Sequence, residues 1–63
     1  MCEAKVYLES KGVRELVMED VVTITPAARN LQLVDLFGEQ KSLSASIKEI
    51  KLLEHVVVLE PLE

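Results

Sequence analysis

Apolar and polar residues alternate along much of the chain with a period of two, which is the pattern of half-buried β-strands. Near the start, Ala4, Val6 and Leu8 fall on one face, and the residues between them fall on the other. A second strand is predicted from Val13 to Met18, after a short loop that contains Gly12. Such a loop commonly joins the two strands of a hairpin, so the first part of the chain predicts a β-hairpin.

The middle of the chain continues the alternation with interruptions. The acids Glu19 and Asp20 break the second strand, and "VVTIT" then predicts a third strand that ends at Pro26 because proline has no amide hydrogen to donate. In "LQLVDLF" the apolar face shifts after Val34 to include Leu36, which predicts a bulge or bend. The segment "FGEQK" supplies the next turn.

The last third of the chain is less regular. Ser42 to Ile47 predicts an edge strand, a bent strand or a helical turn, and "IKEIKLL" fits both a helix and a strand, with its short length favouring a strand in its second half. "HVVVLEPL" is apolar on both faces, which indicates a barrel interior or a partner subunit, and we expect a dimer contact there. The whole pattern predicts one all-β domain over residues 1–63, a small, strongly bent antiparallel sheet or SH3-like barrel of six to seven short strands.

Size and composition favour a homodimer. The chain has 63 residues, of which 49% are hydrophobic, and so small a domain can hide little apolar surface without extra support. The net charge is −4, and the basic residues are interleaved with acids, so a nucleic-acid surface is not indicated. The two aromatic residues, Tyr7 and Phe37, are too few for a base-stacking platform of the usual kind.

Charge and cysteine content also bear on the compartment. The first residues include Glu3, Lys5 and Glu9 and lack the apolar core of a signal peptide, and no apolar run has the length of a membrane span. A single cysteine cannot form an intramolecular disulfide. We therefore expect a cytoplasmic protein that does not associate with membranes.

The residues available for catalysis are few, and no enzymatic activity is predicted. Cys2 and His55 could form a nucleophile and base pair, but no third orienting group is identifiable. Glu19 and Asp20 could bind a hard cation, yet adjacent residues of a strand point to opposite faces, so a solvated turn is the better interpretation.

Cys2 is the candidate metal ligand, together with the backbone of its neighbour Met1. The thiolate and backbone nitrogen of one residue close a five-membered chelate ring, and a retained Met1 amine would add a second ring. Two such termini meeting on a twofold axis would supply two sulfurs and two nitrogens, a square-planar set that suits Ni(II) or Cu(II). The alternative is that Cys2 packs as a small hydrophobe. His55 is more simply interpreted as a surface or interface residue.

Four segments, "MCEAKVYL", "ELVMEDV", "LVDLFGEQK" and "IKEIKLLEHVVVLE", together resemble the CooT family over nearly the whole chain. The resemblance implies a small homodimeric nickel-binding protein associated with the maturation of nickel-dependent carbon monoxide dehydrogenase. It also implies a nickel site built on the cysteine that follows the initiator Met, here Cys2. The implied partners are a second copy and a nickel enzyme such as carbon monoxide dehydrogenase, or its maturation factors.

Two other functions remain open at this point. Many relatives of the CooT family carry the label of predicted RNA-binding proteins, although the charge balance gives that function no support. A dimer that binds no metal and serves only in protein docking would also explain the apolar final strand.

Overall fold

The computed structural model describes residues 3–62, which form six strands and no helix. The all-β prediction and the predicted number of strands are therefore confirmed. The strands are β1 (Ala4–Ser10), β2 (Val13–Pro26), β3 (Leu31–Asp35), β4 (Gln40–Leu43), β5 (Ala45–Lys51) and β6 (Val56–Pro61).

All six strands belong to one sheet in the order β4-β3-β2-β1-β6-β5. Neighbouring strands are antiparallel except β1 and β6, which run parallel with Val6 opposite Val57 and Leu8 opposite Leu59. The sheet is therefore mixed, and the expectation of a purely antiparallel sheet is wrong for this pair. Turn signals in a sequence predict only the pairing of strands that follow one another, whereas β1 and β6 come from opposite ends of the chain.

The sheet curls strongly, as the sequence predicts. Its two edge strands are consecutive in the chain, because β4 ends at Leu43 and β5 begins at Ala45. One residue, Ser44, can join the two edges only if the sheet bends until they meet at that point. The Leu62 amide donates a hydrogen bond of 3.3 Å to the Ser44 carbonyl and holds this corner. Within residues 3–62 no ladder pairs β4 with β5, so the curled sheet stays open.

The predicted break at Glu19 and Asp20 is a bulge within one long strand. β2 has 14 residues and pairs with β1 through its first part and with β3 through its second part. The register with β1 shifts between the partners Met18 and Val21, and Asp20 has a φ of 57°. Aspartate tolerates this left-handed conformation better than most residues, so the strand bends here without ending.

The predicted bulge at Val34 lies in the neighbouring strand instead. β3 alternates regularly, with Leu31, Leu33 and Asp35 buried, while Leu36 is exposed. The register shift falls in β2, between Val21 and Thr23. The alternation in the sequence wrongly predicted a bulge in β3 because its third inward-facing residue is Asp35 rather than an apolar residue.

Asp35 is buried because it organises the turn between β3 and β4. Its Oδ1 atom accepts hydrogen bonds from the amides of Phe37 at 2.9 Å and Glu39 at 2.8 Å. The Gly38 amide donates to the Asp35 carbonyl at 3.1 Å, and Gly38 has a φ of 87°, which glycine adopts without strain. The side chain thus closes the turn that the segment "FGEQK" predicts.

We expect Asp35→Ala to lower the free energy of unfolding by about 2 kcal/mol, because two amides would lose a charged acceptor. Asp35→Asn keeps a side chain of the same length with one acceptor oxygen, so it should lower the free energy of unfolding by less. Urea denaturation of the two variants beside the parent chain measures this difference. Equal destabilisation by alanine and asparagine would show that the two hydrogen bonds do not stabilise the turn.

The core lies on the concave face of the curled sheet. Its buried residues come from five of the six strands and include the fully buried Val6, Leu33 and Leu59. β6 lies between β1 and β5, and Val58 is buried on the face opposite to Val57 and Leu59. The apolar character of both faces of β6 is therefore explained within one chain, and the dimer contact expected there is not needed to account for it.

The ambiguous segment "IKEIKLL" is part of strand β5 up to Lys51, and a turn follows. A register shift between Ile47 and Glu49 places a bulge at Lys48, so that Ile47 pairs with Leu59 and Ile50 with Val57. Both isoleucines therefore belong to the concave face, although their three-residue spacing fits a helix. The helical interpretation of this segment is wrong.

Three charged residues join three strands on the convex face. The Glu9 carboxylate of β1 lies 2.9 Å from the Arg14 guanidinium of β2 and 3.0 Å from the Lys48 ammonium of β5. The hydrogen bonds from Lys48 and then Arg14 lower the pKa of Glu9 below its usual value. Two basic side chains are thus engaged with an acid of the same chain.

Candidate metal centre

The first residues of β1 lie beside the turn that connects β5 to β6. The Lys5 amide donates a hydrogen bond of 2.9 Å to the His55 carbonyl, and Lys5 is opposite Val56 in the parallel ladder. Ala4 and His55 line one apolar cavity with residues of β5 and β6, among them Ile50 and Val57. This end of the sheet therefore brings the amino-terminal strand together with the turn 52–55.

The turn 52–55 is closed by its own backbone. The His55 amide donates to the Leu52 carbonyl at 3.2 Å, and His55 adopts a φ of 57°. Histidine occupies this left-handed region more readily than branched residues do. The His55 side chain is exposed, so its imidazole lies at the solvent-facing rim of the cavity rather than in the core.

The predicted ligands Cys2 and Met1 lie outside the described residues. Ala4, the first residue of β1, follows Cys2 by two positions in the sequence. The described start of β1 lies beside the turn 52–55, since the Lys5 amide is bound to the His55 carbonyl.

The remaining candidates for chemistry do not converge. Glu19 is exposed and Asp20 is half-buried, and the Asp20 carbonyl accepts a hydrogen bond of 2.7 Å from the Leu36 amide. Within residues 3–62 no group of three or more His, Cys, Asp and Glu side chains gathers as a metal site. The pairing of Cys2 with His55 as nucleophile and base stays a prediction, since Cys2 lies outside the described residues.

Sequence reasoning missed the exposed leucines of this turn. Leu52 and Leu53 are 79% and 97% exposed, and Ile50, near the end of β5, is 53% exposed. The signal in the sequence is "KLLE", where two adjacent leucines fit neither face of a strand that ends beside them. The end of the sheet where β1 begins is consequently apolar and accessible.

Comparison with known proteins places the chain in a family. The model of the family described as CO dehydrogenase accessory protein CooT matches residues 1–60. The chain belongs to the CooT family. The matched range includes both candidate ligands, Met1 and Cys2, and membership supports an accessory role rather than a catalytic one.

Two similar proteins match this chain over nearly its whole length. The uncharacterized protein MJ1551 of Methanocaldococcus jannaschii is 35% identical over 60 residues, which cover 95% of this chain and 98% of the relative. The crystal structure of a candidate CooT protein from Carboxydothermus hydrogenoformans has a TM-score of 0.92 and 32% identity. It covers 98% of this chain and 100% of the other, so the two CooT-like chains share the curled six-stranded sheet.

As for membranes, residues 3–62 contain no helix of the length and apolarity that crossing a bilayer requires.

Proposed function

We propose that this CooT-family protein is a nickel-binding metallochaperone that serves the maturation of a nickel enzyme such as carbon monoxide dehydrogenase. Nickel is its cargo. The proposal is carried by one observation, the family match over residues 1–60, which includes the only cysteine of the sequence, Cys2, immediately after Met1. The role of the family, accessory to a CO dehydrogenase, is consistent with metal delivery.

The ligand chemistry of the terminus suits nickel. Cys2 offers a thiolate and a backbone nitrogen, and a retained Met1 adds an amine, so one short segment contributes more than one donor. Sulfur and nitrogen donors in a square plane are preferred by Ni(II) and Cu(II), whereas zinc prefers a tetrahedron. Two copies of Cys2 on a twofold axis would complete the plane with two sulfurs and two nitrogens.

The position of the terminus suits a cargo that is passed on. Ala4 lies at an end of the sheet that is lined by exposed residues of the turn 52–55, and Cys2 precedes Ala4 by two positions in the sequence. Ligands near the surface can be exchanged for those of an acceptor protein. Copper should bind at least as tightly as nickel, so nickel loading would depend on the metal supplied to the protein.

Native mass spectrometry of the untagged protein with stoichiometric Ni(II) tests this proposal. We expect a dimer that carries one nickel ion, which is half an ion per chain, and the same spectrum shows whether Met1 is retained. A dimer without nickel would contradict the metallochaperone function and favour a dimer that serves only in protein docking. One nickel ion on each monomer would contradict the shared site.

A further inference from the structure

The first part of β2 has a neighbouring strand on one side only. The ladder with β1 begins at Val13, whereas the ladder with β3 begins at Val21. Within residues 3–62, no strand pairs with the other side of segment 13–18, which we call the free edge of β2. Its length of about six residues is that of an ordinary strand, so the edge is long enough to pair with one more.

The free edge presents backbone hydrogen-bonding groups at Arg14 and Leu16. The turn 11–12 joins β1 to β2, and its two residues have φ values of 53° and 80°. In such a hairpin the flanking residues, here Ser10 and Val13, exchange two hydrogen bonds, and bonded and non-bonded pairs then alternate along the ladder. Arg14 and Leu16 belong to non-bonded pairs, so their amide and carbonyl groups point away from β1.

A groove of about 410 Å³ lies beside the free edge and is rich in negative charge. Among the residues that the structure describes, four acidic side chains and one basic side chain line it; they are Glu19, Asp20, Asp35, Glu39 and Lys41. The whole chain has a net charge of −4, so the groove holds a large share of the excess negative charge.

Basic side chains near the free edge are engaged with groups of the same chain. The Arg14 guanidinium lies 2.9 Å from the Glu9 carboxylate of β1, and the Lys41 ammonium donates a hydrogen bond of 3.3 Å to the Val17 carbonyl. Within residues 3–62, both ion pairs involve Glu9. The carboxylates of the groove therefore have no cation paired with them there.

We propose that the free edge of β2 binds an extended basic segment of a partner protein, which adds to the sheet as a further strand. In this mode of recognition the free amide and carbonyl groups of the edge supply affinity, and the side chains beside them supply specificity. Complementary charge speeds the encounter and selects the partner. The contact is a protein-recognition surface and does not depend on nickel.

The side chains along the edge select a segment in which basic and apolar residues alternate. Glu15 is opposite Leu8, which packs against the core, so Glu15 belongs to the concave face together with Asp35 of the groove. Leu16 is 47% exposed and lies on the convex face, since adjacent residues of a strand alternate. An added strand would place basic side chains beside the carboxylates and apolar side chains beside Leu16.

A second copy of the chain is a poorer occupant of this edge than a basic segment. In a twofold contact the same surface appears on both sides, so two free edges would bring two sets of the same carboxylates together. Like charges across an interface weaken binding. A basic segment instead neutralises the groove.

Hydrogen exchange followed by nuclear magnetic resonance tests the contact, with the metal-free protein and a capped peptide of alternating lysine and valine as the probe. We expect the amides of Arg14 and Leu16 to exchange fast in the free protein and to become protected when the peptide binds. The Glu15 amide is bonded to β1 and should be protected throughout. Binding that leaves the exchange of Arg14 and Leu16 unchanged would overturn the proposal, and so would the absence of binding at low salt.

The same measurement without peptide separates the two occupants. Protection of Arg14 and Leu16 that grows with protein concentration would show that a second copy covers the edge, and it would contradict the proposal. Exchange that is independent of concentration supports an edge left for a partner.

Two matched peptides separate strand pairing from charge. The valines of the probe lie opposite Leu16 on the convex face, so their amides point to β2, and N-methylation of these amides removes the donors but keeps the charges. A peptide of alternating glutamate and valine keeps the donors and reverses the charges. Both should bind at least about tenfold more weakly. Equal binding of the methylated peptide would exclude strand addition, and equal binding of the glutamate peptide would exclude a basic partner.

A charge reversal in the protein tests the groove. The exposed residues Glu19 and Glu39 line it, and we expect the double variant Glu19→Lys with Glu39→Lys to bind the lysine peptide about tenfold more weakly. Glu49→Lys with Glu54→Lys is the matched control, because it changes the net charge equally at exposed positions outside the groove. Equal weakening by both double variants would show that only the net charge of the protein attracts the peptide, and it would overturn the proposed site.

Discussion

Val57→Asp is expected to unfold the protein rather than only separate two subunits. Val57 is 7% exposed and belongs to the core cluster, opposite Val6 in the parallel ladder. An unpaired carboxylate at such a position costs several kcal/mol through lost hydration, or must take up a proton. A domain of this size has little stability in reserve, since small domains bury a smaller fraction of their surface. Far-ultraviolet circular dichroism and amide proton dispersion should both show the loss of the sheet.

Val22→Asp is the matched control for this substitution. Val22 is 50% exposed on β2, so the same chemical change leaves the new carboxylate in water, and we expect a folded protein. If Val57→Asp instead gives a folded monomer with a dispersed spectrum, Val57 belongs to a subunit contact and the core described above is misplaced.

Cys2→Ser is expected to abolish nickel binding and the thiolate-to-nickel absorption band. The chain has one cysteine, so no other thiolate can replace it. Loss of a group that only orients a metal ligand already costs about 10- to 100-fold in affinity, and loss of the ligand itself should cost more than about 100-fold. Titration with Ni(II), followed by ultraviolet absorption and by a competing chelator, measures both effects.

His55→Asn is the control, because the proposed donors all come from residues 1 and 2, and asparagine tolerates the φ of 57° at this position. The variant should keep the absorption band and the affinity. Nickel binding that survives in Cys2→Ser would reject the proposed site, whereas loss of binding in His55→Asn would make the imidazole a ligand.

The sequence predicts those parts of the fold that depend on local pattern. β1 follows from the alternation that buries Val6, and the turn after β3 follows from its glycine. The pattern fails where a buried polar side chain has hydrogen-bond partners, as Asp35 has in two backbone amides. It also fails where a bulge changes the spacing of the inward-facing residues, as between Ile47 and Ile50. Periodicity assumes that inward residues are apolar and evenly spaced, and these sites obey neither condition.

For the candidate site, the sequence predicts a ligand but not the neighbouring parts of the fold. Cys2 is conspicuous because it is the only thiol and because it can act with adjacent backbone nitrogen. The sequence does not predict that the turn 52–55 lies beside the start of β1, because this proximity depends on the parallel pairing of Lys5 with Val56. Long-range pairing of this kind depends on the packing of the whole sheet rather than on either segment.

The parallel pairing of the first strand with the last has a consequence for biosynthesis. β1 leaves the ribosome first but cannot gain its β6 neighbour until Val56–Pro61 has also emerged, so the contact order of this sheet is high and its completion is late. The turn 52–55 likewise reaches β1 only at that stage. Under the proposed function, Cys2 would leave the ribosome before β6 is available to complete the sheet, so the folded nickel-binding protein would form only after Val56–Pro61 has emerged.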